Sequence, residues 1–212
     1  MRITKFGHAC VRIETGSGTV VLDPGMFATP EVFDGADAIL ITHEHADHYV
    51  PELLSATQTP VFTIDAVAAK IAEQAPDVAE RTTVVVPGEA FEAAGVGVRA
   101  VGELHEVIHP DMPRFYNSGY LIEADGTTVF HPGDALTGAG DAQVDVLLVP
   151  VSAPWARSAD LIDFARRVGA PRNVAIHDRI YSDFGAGVFD GQMKMLLPET
   201  QSYARLADGA DL

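Results

Sequence analysis

Residues 42–48 read T-H-E-H-A-D-H, and they follow directly on A-D-A-I-L-I-T, an apolar run of the length of a buried strand. Four metal-capable side chains, His43, His45, Asp47 and His48, therefore fall within six positions. By composition alone, H-x-H-x-D-H arises in roughly one such chain per thousand. In an extended segment, residues two apart point to the same side, so His43 and His45 converge on one cation. The chain is then expected to turn into a helix within residues 46–55, with Asp47 near the first turn. That turn carries Asp47 and His48 away towards a second cation. Neutral imidazole and carboxylate suit zinc, with manganese or iron as alternatives.

Distant parts of the chain must complete the two coordination spheres. His105, in A-V-G-E-L-H, and His177, in V-A-I-H-D, each close a strand-like run. Asp134 lies in H-P-G-D, a Gly-containing turn after T-V-F-H, where its carboxylate is placed to bridge two cations. Three donors at three strand ends describe a site along one edge of a sheet. His105 is read as the ligand in preference to His109, which precedes Pro110 and so is biased towards an extended loop, from which it could swing in as ligand or substrate contact. His131 is read as a hydrogen-bonding or buried strand-end residue in preference to a ligand, and His8, after a glycine in a tight turn, as making a structural hydrogen bond in preference to binding metal.

The remaining pattern alternates strands and helices. R-I-T-K-F, A-C-V-R-I-E and T-V-V-L-D open the chain, with G-S-G turning between the last two. V-F-T-I precedes the helical D-A-V-A-A-K-I-A-E-Q-A, for which Asp65 is the expected N-cap. T-V-V-V, G-V-R-A-V, S-G-Y-L-I-E-A, T-V-F-H, V-D-V-L-L-V-P and N-V-A-I-H are further strands. The D-G of A-D-G-T marks a hairpin, and a helix is expected over Ser158–Val168. The tail beyond His177 reads as helix and loop. No repeat or linker divides the chain, so one domain over residues 1–212 is expected. A chain of 212 residues buries enough surface to fold without a structural metal, so a metal here is read as catalytic.

Thirty acids against 14 bases give a net charge of −16, and a field of that sign repels phosphate backbones. A small-molecule substrate is expected, not nucleic acid; self-association into a homo-oligomer stays open. The opening residues form no signal-like apolar core, and no apolar run is long enough to span a membrane. A lone cysteine, Cys10, fits a reducing compartment, and the cytoplasm is the expected location. Cys10 itself reads as a small buried hydrophobe.

T-H-E-H-A-D-H, a later lone His, a G-D turn and a final His after a strand resemble the metallo-β-lactamase superfamily. The opening F-G-H-A-C-V-R-I-E-T with V-V-L-D-P-G is similar to its ascorbate-phosphate lactonase-like branch of small hydrolases. The likeness runs over about residues 5–177. It implies an α/β fold, the four-layer αββα sandwich, with the metals at the upper edge of two sheets. Position by position it assigns His43, His45 and His105 to one metal and Asp47, His48 and His177 to the second. Asp134 matches the bridging aspartate, and Asp23 the carboxylate that supports the site. The sequence departs from the pattern at Pro132 and Ala135, on either side of the G-D turn. The implied activity is metal-dependent hydrolysis of a small ester, lactone or phosphodiester by a water bridging two divalent cations, most simply zinc. Asp47 is the carboxylate placed to relay a proton. The alternatives are a di-iron redox protein of the same fold, whose relatives carry a carboxylate where this chain has His45, and a non-catalytic metal-binding regulatory module.

The loop D-M-P-R-F-Y-N-S, residues 111–118, joins two site-bearing segments. It offers Arg114, Tyr116 and Asn117 as substrate contacts, Arg114 for its bidentate fork. Trp155 and Arg157, in S-A-P-W-A-R, are placed along the same rim. No glycine pattern of a nucleotide site is present.

Overall fold

The computed structural model describes residues 1–212. Six strands form the first sheet in sequential order: β1 (Arg2–Lys5), β2 (Val11–Glu14), β3 (Thr19–Leu22), β4 (Ala38–Ile41), β5 (Val61–Thr63) and β6 (Thr82–Val84). Helices α1 (Pro51–Ser55), α2 (Asp65–Gln74) and α3 (Pro76–Ala79) lie between its last three strands in sequence. The second sheet runs from β7 (Ala90–Ala93) through β8 (Val96–Val101), β9 (Gly119–Ala124), β10 (Thr127–His131), β11 (Val146–Pro150) and β12 (Arg172–Ile176) to β13 (Ser202–Ala204). Helices α4 (Ser158–Val168) and α5 (Asp183–Leu196) flank that end.

Strand periodicity explains the layering. In β4, Ala38 and Leu40 enter the core between the sheets, while Ile39 and Ile41 face the α1–α3 layer. In β11, Val146 and Leu148 enter the same central core, and Leu147 and Val149 pack with α4 and α5. Both strands are buried on two faces and therefore read as unbroken apolar runs. The result is a four-layer αββα arrangement. No helix is long and apolar enough to cross a membrane.

Strands β3 to β6 run parallel, as do β10 to β13. Loops leaving the carboxyl ends of such strands gather at one edge, where α/β folds place ligands. Residues 42–48 leave β4, Asp134 follows β10, Ser152 follows β11 and His177 follows β12.

Several local expectations are corrected. The chain does not become helical at Ala46; residues 44–48 form bends and turns, and α1 starts at Pro51. Proline restricts the residue before it to extended backbone, and Val50 has φ −134° and ψ 116°, so the helix cannot extend back to Asp47. Asp65 is the first helical residue instead of the cap; Ile64 takes the cap position. His105 lies four residues past the end of β8, not at a strand terminus. Strands β7 and β13 and the short α3 carry too weak a periodicity to be read from sequence.

Candidate metal centre

Residues 42–48 are held in place by Asp23, which follows β3 and is fully buried. Its Oδ1 accepts from the Thr42 amide at 2.8 Å. Its Oδ2 accepts from the Thr42 hydroxyl at 2.7 Å and from His48 Nδ1 at 2.7 Å. The amides of His48 and Tyr49 both donate to the His45 carbonyl at 2.9 Å, which closes the turn that separates His43 and His45 from Asp47 and His48. Gly25 lets the loop after Asp23 lie against this turn: a Cβ there would meet the Asp47 carbonyl oxygen at 2.0 Å. Gly133 (φ +62°) is similarly obligatory, because a Cβ would meet Asn117 Oδ1 at 2.3 Å. His8, Asp23 and His177 all adopt left-handed backbone, with φ of 49°, 44° and 54°. Such strain in non-glycine residues persists where surrounding contacts over-determine it, and here three instances meet at one edge.

The donor atoms fall into two groups, His43, His45, His105 and Asp134 in one, and His8, Asp47, His48 and His177 in the other. Asp134 stands between them: its Oδ2 lies 3.3 Å from His105 Nε2 and 3.2 Å from His177 Nε2, and its Oδ1 lies 3.1 Å from His48 Nε2. His43 Nε2 and His45 Nδ1 face each other at 3.1 Å. The Nε2 atoms of His48, His105 and His177 and Oδ1 of Asp134 are buried without a hydrogen-bond partner. Buried polar atoms without partners are costly and call for an explanation. The opposite ring nitrogens are satisfied. Nδ1 of His48 donates to Asp23, that of His105 to the Glu106 carbonyl at 2.6 Å, and that of His177 to the Ser152 carbonyl. This is how proteins fix the tautomer that turns an Nε2 lone pair towards a cation. The residues present fit divalent metal.

The electrostatics point the same way. Burial and the neighbouring His48 hold His43 well below the ordinary histidine range. Burial opposes charge on His48, but Asp134 and Asp23 outweigh it and hold its pKa well above that range. Burial likewise opposes charge on His177, but Asp134 and Asp47 push it up to about 9. Burial would raise Asp134, yet His177 and His48 hold it well below the carboxylate range. Burial would raise Asp47 as well, yet the adjacent His177 and His8 hold it below the carboxylate range. Without metal, imidazolium protons compensate the two carboxylates.

The other expected residues separate clearly. His109 is 62% exposed and its Nδ1 accepts from the Asp111 amide, away from both groups. His131 is buried, with Nε2 on the Ala9 carbonyl and Nδ1 accepting from the Gly133 amide. His8 Nδ1 accepts from the Arg179 amide at 3.1 Å, so its Nε2–H donates to Asp47 Oδ2, also at 3.1 Å. Cys10 is buried and free. Asn117 is not a substrate contact: it is buried, its amide nitrogen donates to the Pro132 carbonyl and its Oδ1 accepts from the Asp134 amide. Arg157 caps the start of α4 and is paired with Asp160 in the first turn of that helix, at 2.8 Å. Trp155 reaches the rim, and donates Nε1–H to Asp134 Oδ2 at 3.0 Å. That bond, and the carbonyls of Glu106 and Ser152 behind two histidines, had no signal in the sequence; backbone acceptors carry none.

Comparison with known proteins follows the same line. The profile of a family described as "Beta-lactamase superfamily domain" matches residues 2–177. Protein Rv0786c of Mycobacterium tuberculosis is 37% identical over 199 residues, covering 91% of this chain and 91% of its own. A UPF0173 metal-dependent hydrolase of Methanoculleus marisnigri is 32% identical over 197 residues, covering 84% of this chain and 80% of its own. The solved metallo-beta-lactamase fold protein YhfI of Bacillus subtilis superposes with a TM-score of 0.77 at 15% identity, covering 100% of this chain and 98% of its own. At that identity the likeness carries the fold alone.

Proposed function

We propose that this chain, which belongs to the β-lactamase superfamily, is a metal-dependent hydrolase that cleaves a small ester, lactone or phosphodiester at two divalent cations. His43, His45 and His105 would hold one cation and Asp47, His48 and His177 the other, with Asp134 serving both. The observation that carries this reading is the set of buried, unpaired Nε2 atoms of His48, His105 and His177 gathered around the Asp134 carboxylate. Imidazole and carboxylate donors suit zinc, and manganese or iron less closely.

Such cations lower the pKa of water towards about 7 and polarise a carbonyl or phosphoryl oxygen. The chain's own residues supply the rest. Asp47 is the most exposed carboxylate of the site, and the His8 and His177 nitrogens hold its Oδ2 at 3.1 and 3.2 Å. It is therefore placed to take a proton from water at the mouth and pass it to solvent. Asp23, deeper and fully buried, orients His48 and the Thr42 backbone without reaching substrate. The −16 charge favours small molecules over nucleic acid as substrates. A single buried cysteine favours work in the cytoplasm.

The test is a panel of lactones, carboxylic esters and phosphodiesters assayed before and after chelation and after zinc is restored. Hydrolysis that disappears with chelator and returns with zinc supports the reading. Hydrolysis indifferent to chelator overturns it.

A further inference from the structure

Between His105 and β9 the chain leaves the metal edge as a closed tongue. Its base is zipped: Leu104 bridges Tyr116, the His105 amide donates to the Phe115 carbonyl at 3.0 Å, and the Asn117 amide donates to the Glu103 carbonyl at 3.1 Å. Residues 106–115 enclose a hollow of about 380 Å³, lined by Val107, Ile108, Met112, Pro113 and Phe115 on its apolar side. That is the lower end of the range of small-ligand sites, about 300–1,000 Å³. Phe115 separates the hollow from the metal edge, its ring 4.5 Å from that of His45 and 6.3 Å from that of His105.

Arg114 also lines the hollow. Its Nε donates to the carbonyl of His105 at 2.7 Å, which ties the guanidinium to the backbone of a candidate ligand. Arg2, Arg12, Arg99, Arg157, Arg166, Arg179 and Arg205 each pair with a carboxylate, whereas Arg114, like Arg81, Arg167 and Arg172, pairs with none. The acid of the same lining, Glu106, instead accepts from the Leu136 amide at 3.0 Å. In a chain of net charge −16, Arg114 is the unpaired arginine tied to the backbone of a candidate ligand. Its two Nη atoms remain available as a planar fork for an oxyanion.

We infer that this hollow is the substrate subsite, taking an ester that carries a carboxylate on Arg114 and a short apolar chain along the 106–115 tongue. One guanidinium within an acidic surface matches a singly charged carboxylate better than a doubly charged phosphate monoester. The inference rests on the hydrolase reading for its substrate, but binding itself does not require turnover.

The experiment is calorimetric titration of acetate, butanoate, hexanoate, octanoate and butyl phosphate into the protein as purified and after chelator treatment. Elemental analysis is made on the same samples. Affinity should climb with chain length, by at most about fourfold per methylene. Arg114→Gln should weaken octanoate at least about tenfold in both preparations, the loss expected for a hydrogen bond to a charged group, and leave octan-1-ol unchanged. Arg114→Lys, which keeps charge but not the fork, should fall between. Met112→Ala should flatten the chain-length dependence without affecting acetate. Equal affinity for acetate and octanoate, an Arg114→Gln protein that binds octanoate as wild type, or tighter binding of butyl phosphate than of hexanoate would overturn the inference. A protein that takes up no metal would sink the hydrolase reading while leaving the Arg114 result in the chelator-treated samples intact.

Discussion

The indole Nε1 of Trp155 donates to Asp134 Oδ2 at 3.0 Å, the same oxygen that lies 3.2 Å from His177 Nε2 and 3.3 Å from His105 Nε2. Trp155 thereby fixes the rotation of the carboxylate that stands between the two donor groups. Its ring also lies edge-on to those of His105 and His177.

Trp155→Phe keeps most of the packing and removes the hydrogen bond. Loss of a hydrogen bond to a ligand typically weakens metal affinity about 10- to 100-fold. A competition titration against a chromophoric chelator should show a loss of about tenfold. Trp155 is also the only tryptophan, so its fluorescence should change as metal is loaded. An unchanged affinity would mean that Asp134 is oriented by its other contacts alone.

Asp47→Asn preserves the volume and one oxygen donor but cannot accept a proton. Turnover on the substrate found in the hydrolysis panel should fall by about 100-fold or more, within the range of general acid–base contributions. Elemental analysis of the same variant should still find most of the metal. Wild-type turnover with full metal content would remove Asp47 from proton transfer.

The pH dependence of stability has a definite sign. His177 rises from the ordinary 6.5 to about 9 in the folded, metal-free protein, and His48 shifts in the same direction. Raised folded-state values stabilise below the unfolded pKa, and that stabilisation is lost as pH climbs through the folded one. His8, His43 and His45 are lowered and act below pH 6.5, outside this window. The melting temperature of chelated protein should therefore fall between pH 6.5 and 9. Metal replaces those protons, so the loaded protein should lose this decline. Melting curves at matched ionic strength check both, and a chelated protein whose Tm rises across the window would contradict the assignment.

Lys5 anchors the far side of the site. It is 3% exposed, and its Nζ pairs with Asp178 at 2.6 Å, directly after His177. Arg205 reaches the same carboxylate at 3.3 Å. Removing one partner of a buried pair costs about 3–5 kcal/mol, and the remaining arginine places Lys5→Ala near the lower end, about 3 kcal/mol. Equilibrium denaturation in urea measures it; a loss below about 1 kcal/mol would show that Arg205 alone suffices.

Much of this was legible in the sequence, for physical reasons. Strands β4 and β11 are buried on both faces and β2 and β3 flank a tight turn, so their patterns stand out. The hairpin at Asp125 and Gly126 uses left-handed backbone at both residues, which that dipeptide announces. The helix expected over Ser158–Val168 is α4, with its amphipathic face on the second sheet. His43, His45, Asp47 and His48 were legible because four chemical groups sit on one short segment. Asp134 and His177 were visible as polar residues just past apolar strands. What the sequence hid depends on backbone geometry and on tertiary contact. Pro51 sets where α1 starts, the Glu106 and Ser152 carbonyls orient two histidines, and Asn117 is consumed by the turn that presents Asp134. Arg114 and Arg157 look alike in sequence; only the fold shows that one has a carboxylate beside it and the other does not.

The most direct measurement is the metal stoichiometry of protein saturated with zinc and dialysed, with His48→Ala and His105→Ala alongside. Two donor groups predict two equivalents per wild-type chain and about one in each variant. A wild-type chain that retains none, or variants that retain as much as wild type, would contradict the account.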